Sequence, residues 1–322
     1  MFPGNTDIYY DDNCHAAQAL ITAYEETSEI KHLRQAQDIL ETLIMPSAQE
    51  DGGVPWHTNN PNCRNACSTG PAAVAALRIY LCHRDTQKDD RLLVFAKRAL
   101  NWLIENLQDP DDHLIWDSLQ LEEENGTNKN VNKTKWTYNT GFAIHGFSLL
   151  HEVTKDDDHL TKAVELAEAA LNQESPLFDH ALPLGQRMYS DSSFFLHHLV
   201  DGYLALQRSL AHRTSLTGQP AIKLKERWDL GTEIDRIANW GKTWMLDPTD
   251  GLYFRGSSPY TISLELAKKY NEQFGVEKDF QANGQERDEQ GELCKTLIGN
   301  AGWIRILRMA DNSLLEYSPQ VV

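Results

Sequence analysis

The feature that most constrains this chain is a helical stripe written three times. Leu33-x-x-Ala36, Leu93-x-x-Ala96 and Leu160-x-x-Ala163 each open a segment whose apolar residues recur at +3, +4, +7 and +8 from the alanine. In the first copy these are Ile39, Leu40, Leu43 and Ile44; in the second, Ala99, Leu100, Leu103 and Ile104; in the third, Leu166, Ala167, Ala170 and Leu171. That spacing marks one buried face of an α-helix, and the small residues in it allow close approach. Each copy follows a polar turn opened by threonine, at Thr27, Thr86 and Thr154, and each turn follows another apolar helix, over 14–26, 70–83 and 139–153. Further helices are expected near 190–212, 230–245, 259–274 and 289–310.

A hairpin repeat with long loops on one side predicts an all-α fold, an (α/α)6 toroid or an α-solenoid, over residues 1–322 as a single domain. Roughly ten helices can be counted, where a closed ring of six hairpins needs about twelve, so the first hairpin is expected to be missing. No alternating apolar and β-branched run competes. Leu114-Ile115-Trp116 and Leu252-Tyr253-Phe254 read as strand-like pieces within loops, behind Asp and Gly turns.

The formal net charge of −17 repels polyanions, so nucleic acid and anionic membrane surfaces are poor partners and a neutral ligand fits best. No apolar run is long enough for a membrane span, and MFPGNTDIYY lacks the basic start and apolar core of a signal peptide. The five cysteines are thinly spread. Cys63-x-x-x-Cys67 has no second Cys/His pair at zinc spacing, so neither a metal nor a cofactor is expected. Asn125-Gly-Thr127 and Asn132-Lys-Thr134 are glycosylation sequons in what reads as a polar loop.

Four clusters carry residue types suited to sugars, since aromatic faces stack on pyranose rings and Asn and Asp bond hydroxyls. The first, Tyr10-Asp11-Asp12-Asn13, puts two carboxylates on what reads as an irregular turn at a helix entry. Mutual repulsion there can raise one pKa, giving an acid and a nucleophile. Helix capping explains one such residue equally well, so both readings stand. The second joins Gly52-Gly53-Val54-Pro55-Trp56, a tight turn presenting Trp56, to Arg64-Asn65-Ala66-Cys67-Ser68-Thr69-Gly70. Its glycines lack the spacing of a nucleotide loop. The third is Trp136-Thr137-Tyr138-Asn139 before an apolar helix. The fourth is Tyr189-Ser190-Asp191-Ser192, followed by His197-His198. Adjacent helical residues point about 100° apart, so one histidine is expected solvated and the other packed, without metal. No Gly-x-Ser-x-Gly elbow occurs, and no histidine pattern accompanies the cysteines.

These strings resemble glycoside hydrolase family 76, the α-1,6-mannanase family. Tyr10-Asp11-Asp12-Asn13 leads into Ala19-Leu20-x-x-Ala23-Tyr24-Glu25-x-Thr27; Gly52-Gly53-Val54-Pro55-Trp56 follows. Then come Arg64 to Ala73 with Ala76-Leu77-Arg78-x-Tyr80, and Thr134-Lys135-Trp136-Thr137-Tyr138-Asn139-Thr140-Gly141. The likeness runs over about residues 8–210. It implies an (α/α)6 barrel whose groove binds α-mannan-like oligo- or polysaccharide, and a retaining mechanism with Asp11 as nucleophile and Asp12 as general acid/base. Tyr10, Asn13, Trp56, Asn65, Trp136, Tyr138 and Asn139 become the expected substrate-binding residues. It also implies a secreted or cell-wall location. His15 departs from the family's aromatic residue two places after the motif asparagine. Two other readings remain: a glycan-binding toroid without catalysis, and a sugar epimerase or uronyl hydrolase. For the last, His15, His57, His145 and His151 show no obvious pair and Arg64 stands alone.

Overall fold

The computed structural model describes residues 7–83, 89–121, 129–217, 229–282, 285 and 287–316. The turn at Thr86 and the sequon at Asn125 lie outside these. The chain divides into two compact units, Met1–Lys135 with Phe142–Leu166, and Trp136–Gly141 with Ala167–Val322.

In the first unit, α1 (Tyr10–Thr27) buries Tyr10, Cys14, Ala17, Gln18 and Ile21, the stripe of one helical face. It lies against α4 (Ala66–Cys82), where the Cys14 thiol donates to Ser68 O and the Gln18 amide to Pro71 O, at 3.6 and 3.0 Å. From Ala66 to Leu77 every residue of α4 is buried, as expected of a helix surrounded by neighbours. Between these, α2 (Ile30–Ile39) runs into a π-helical turn, Leu40–Ile44, and the short α3 (Met45–Ser47). Pro46 lacks an N–H and crowds the carbonyl four residues back, a sufficient cause for the widened turn. The outer face of the unit is completed by α5 (Asp90–Leu107), with Leu92, Phe95, Ala96, Ala99, Leu100, Trp102, Leu103 and Leu107 buried.

The remaining helices are α6 (Thr137–Thr154) and α7 (Asp157–Leu171), each shared by chain position between the units, and α8 (Ser193–Thr217), α9 (Leu230–Trp240), α10 (Leu264–Phe274) and α11 (Leu297–Glu316) in the second. A π-turn, Gly241–Met245, extends α9. Here α11 packs on α8 and α9: Gly241 leaves room for the Trp303 ring, because a Cβ would sit 2.6 Å from it.

The threonine turns are one device used twice. Thr27 and Thr154 end α1 and α6, each hydroxyl donating to the carbonyl four residues back at 2.6 and 2.8 Å. The next residues, Ser28 and Lys155, adopt left-handed φ of 58° and 60°, and their amides donate to Tyr24 O and His151 O. This is the αL helix stop, made without glycine.

The sequence expectation of strand-like pieces confined to loops is corrected by a four-stranded antiparallel sheet in the first unit. Its order is β1-β2-β3-β4, with β1 Pro55–His57, β2 Asn60–Asn65, β3 Trp116–Leu121 and β4 Lys129–Lys135. Asn60-Pro61-Asn62-Cys63 and the lysine-rich β4, whose one aliphatic residue is Val131, have no apolar–polar alternation, so the period-two signal is absent. Asn132 belongs to β4, opposite Ser118, rather than to a loop, and its amide donates to Asp117. Among the described residues no helix is long and apolar enough to cross a membrane.

Candidate active site

In the first unit the Asp11–Asp12 pair stands on the first turn of α1, not on an irregular turn. Capping does not explain it: the N-cap is Tyr9, without a side-chain cap bond. Instead Asn13 donates its amide to Tyr9 O at 2.7 Å, fixing that residue. The two carboxylates differ. Asp11 Oδ2 accepts from Trp56 Nε1 at 2.9 Å and from the Cys67 thiol at 3.8 Å, while Oδ1 accepts the Asp12 amide at 3.0 Å. Burial raises the Asp11 carboxyl above its ordinary range, and the neighbouring Asp12 charge adds to this against the pull of the Trp56 and amide donors. Asp12 is exposed, and its carboxylate accepts no hydrogen bond among the described residues.

Trp56 reaches Asp11 because the turn before it admits only glycine. Gly52 has φ +109°, and a Cβ there would lie 2.6 Å from Arg98 O; a Cβ on Gly53 would lie 2.6 Å from the Trp102 ring. Val54 N then donates to Thr69 Oγ1 at 3.0 Å, tying the strand to α4. Trp56 is 41% exposed, with Tyr9 edge-on at 5.0 Å between centroids and His57 4.5 Å from Tyr9. His57 bonds Asp7 at 2.7 Å. An exposed aromatic group thus adjoins a carboxylate pair. Tyr9, not the expected Tyr10, faces outward, because Tyr10 begins the buried 10, 14, 17, 21 stripe. Asn65 is the N-cap of α4 and its side chain accepts from the Cys63 thiol at 3.3 Å. Arg64 is buried against Asp51, which removes it as a receptor for a substrate carboxylate. His15 packs near Phe142, 5.9 Å between rings.

In the second unit, Asp191 accepts from the amide and hydroxyl of Thr137, both at 2.9 Å, so a carboxylate distant in sequence caps α6. Burial raises its carboxyl; the Thr137 and Ser192 amides and Arg255 oppose this. Tyr138 is buried and stacks on Phe195 at 4.4 Å, while Trp136, 36% exposed, lies 5.5 Å from the same ring. Asn139 has no exposed surface, so its expected direct contact with a ligand is not met, and neither amide atom has a partner among the described residues. The expected division between His197 and His198 is also corrected: both are buried, with rings 3.8 Å apart. With Asp201 they form the one metal-type cluster among the described residues. Arg305 already holds Asp201, by contacts of 2.9–3.1 Å, and supplies the cation.

The residues that sequence reading assigned to one groove fall in both units, Asp11, Asp12, Trp56 and Asn65 in the first and Trp136, Tyr138 and Asn139 in the second. Sequence reading named Asp191 in the fourth cluster and His57 among the scattered histidines without giving either a role at the site, and gave none to Tyr9 or Phe195. Only Tyr9 had a usable signal, its place just outside the buried stripe.

A helical hairpin fold carrying adjacent carboxylates, one half-buried and one exposed, beside an aromatic platform defines a carbohydrate-active class of protein. The comparisons narrow this. Residues 2–262 match glycosyl hydrolase family 76, and the chain belongs to that family. It is 35% identical over 340 residues to the meiotically up-regulated gene 191 protein of Schizosaccharomyces pombe, covering 99% of this chain and 74% of that protein. The GH76A α-1,6-mannanase of Salegentibacter sp. HEL1_6 has a similar structure, with TM-score 0.67 at 20% identity, over 96% of this chain and 77% of that one. An inactive variant of that mannanase, with two consecutive aspartates replaced by alanine, was solved with α-1,6-mannotetraose; it matches with TM-score 0.67 at 21% identity, over 97% and 76%. These likenesses show the all-α hairpin fold that the Leu-x-x-Ala repeats predict.

Proposed function

We propose that this protein is a retaining glycoside hydrolase cleaving α-1,6-mannosidic linkages in mannan-type glycans, with Asp11 and Asp12 as its working pair. The observation that carries the reading is the asymmetry of the pair: one carboxylate held by three donors beside an exposed indole, the other open to solvent. Family membership and the mannotetraose complex of the bacterial relative support the choice of substrate.

In this mechanism the fixed Asp11 carboxylate attacks the anomeric carbon from the β face. The bond to the leaving oxygen breaks as Asp12 delivers its proton to that oxygen. Asp12, now a carboxylate, takes a proton from water, which attacks the same carbon and releases Asp11. The donors on Asp11 hold it in one orientation, a positioning effect that lowers the barrier. Trp56 and Tyr9 offer apolar faces to a sugar ring; in the second unit Trp136 is a further exposed aromatic residue.

The raised Asp11 carboxyl favours a second assignment, in which Asp11 is the acid and Asp12 the nucleophile. Azide distinguishes them. With an activated α-mannoside, the acid/base variant traps azide after the covalent intermediate and yields the α-mannosyl azide; the nucleophile variant takes azide directly and yields the β anomer. The proposed roles give the β product from Asp11→Ala and the α product from Asp12→Ala. Reversed anomers exchange the roles. Binding of α-1,6-mannotetraose without cleavage by the folded native protein contradicts hydrolysis itself and leaves a glycan-binding protein.

A further inference from the structure

The second unit holds a cleft that the proposed chemistry does not use. Its volume is about 610 Å3, and its floor is Trp240, Trp244 and Phe274. Trp240 and Phe274 stack with centroids 5.8 Å apart, and Trp244 lies 5.9 Å from each. Trp240 turns its N–H inward to Ser257 O at 2.8 Å, so it presents only apolar surface to the cleft. Lys269 lies 5.3 Å over the Trp244 ring. The rim is amide and hydroxyl: Gln186, Asn239, Thr243 and Gln273 are all exposed. Among the described residues, the side chains of Asn239 and Gln273 make no hydrogen bond.

We infer that this cleft is an auxiliary binding site for a neutral glycan, separate from the Asp11–Asp12 site. The size lies within the roughly 300–1,000 Å3 of small-molecule sites. Of the two charged groups in the lining, Arg236 is held by both oxygens of Glu233 at 2.7 Å, which leaves Asp235 as the charge open to a ligand. With a chain net charge of −17, that disfavours anions. A purely apolar ligand is disfavoured as well, because it leaves the rim amides desolvated without partners. A pyranose satisfies both surfaces, with its C–H face on the rings and its hydroxyls on the amides. The choice of an α-1,6-linked probe rests on the function proposed above; the site does not.

The test follows indole N–H resonances of the full chain carrying Asp12→Asn, to stop turnover, during titration with α-1,6-mannotetraose. Trp240→Phe identifies the Trp240 signal. The expected result is a saturable shift of that signal, with its isotherm weakened at least tenfold by Asn239→Ala with Gln273→Ala while other shifting tryptophans keep theirs. A Trp240 signal that stays still, or shifts equally in the double variant, overturns the inference. Hydrolysis of the same probe by the native protein is read in parallel. Cleavage with a still Trp240 removes only the auxiliary site, and a moving Trp240 without cleavage removes only the hydrolase.

Discussion

Two loops, one in each unit, are built on the same plan. Gln108-Asp109-Pro110-Asp111-Asp112-His113-Leu114-Ile115-Trp116 and Leu246-Asp247-Pro248-Thr249-Asp250-Gly251-Leu252-Tyr253-Phe254 align residue for residue. Asp109 N bonds Leu114 O, and Asp247 N bonds Leu252 O, both at 2.8 Å. Each first aspartate accepts the amide two places on, and each second aspartate does the same. The residue before the shared leucine, Leu114 or Leu252, is left-handed in both, His113 at φ 64° and Gly251 at 74°. One lysine then bridges both carboxylates: Lys135 to Asp109 and Asp112, Lys295 to Asp247 and Asp250.

What differs is the chain between loop and lysine. In the first unit it forms β3 and β4, and Lys135 directly precedes Trp136. In the second it contains α10, and Lys295 stands just before α11. The shared part is a cation clamp that closes the turn after an outer helix. The difference shows that a clamp of fixed chemistry tolerates unlike insertions, one of which leads to a candidate binding residue.

Breaking the clamps gives the largest effect. Lys135→Met leaves Asp109 and Asp112, both shielded from solvent, without their cation and should lower the urea midpoint clearly, whereas Lys295→Met, whose partner Asp250 is exposed, should lower it less. Only Lys135→Met should also lower mannotetraose hydrolysis, by tenfold or more per folded molecule. Equal activity losses would contradict the division. Next, Gly251→Ala should cost about 1 kcal/mol from backbone strain alone, since nothing lies within 4 Å of its Cβ direction. An unchanged midpoint would show that the turn shifts without cost.

The smallest effect is on pH dependence. Hydrogen bonds from Lys295 and Thr249 hold the Asp247 carboxyl down at about 2. Burial opposes ionisation of Asp109, but Lys135, the Asp111 amide and Trp116 outweigh it and hold that carboxyl low as well. A depressed carboxylate binds fewer protons folded than unfolded. The stability it contributes is therefore complete above the ordinary carboxylate value of about 4 and fades as pH falls toward the folded value. Lys295→Met should flatten the slope of stability between about pH 4 and pH 2. A slope identical to that of the native protein would count against the clamp.

The helices of the Leu-x-x-Ala repeats were legible because each buries one face at a period of 3.6 residues, as Leu33, Ala36, Leu40 and Ile44 do. The sheet was not legible, because β2 and β4 are held by backbone pairing between polar residues. Asp191 could not be read as the cap of α6, since 54 residues separate it from Thr137. The clamps were visible as a repeated Asp-Pro-x-Asp string, yet apolar periodicity is blind to them. Asp11, Asp12 and Trp56 stood out because glycines and paired acids exceed what turns and caps require.

The most direct test of the central claim measures turnover of α-1,6-mannotetraose and thermal stability together, for Asp11→Asn and Asp12→Asn. A raised carboxyl binds its proton more tightly folded than unfolded, so the ionised Asp11 opposes folding near neutral pH. The account predicts that both variants lose at least about a thousandfold in rate, some 4 kcal/mol of transition-state stabilisation. Asp12→Asn should melt at the native temperature and Asp11→Asn at or above it. Rates within tenfold of the native protein in either variant, or melting well below it, would contradict a catalytic pair and return the aspartates to a structural role.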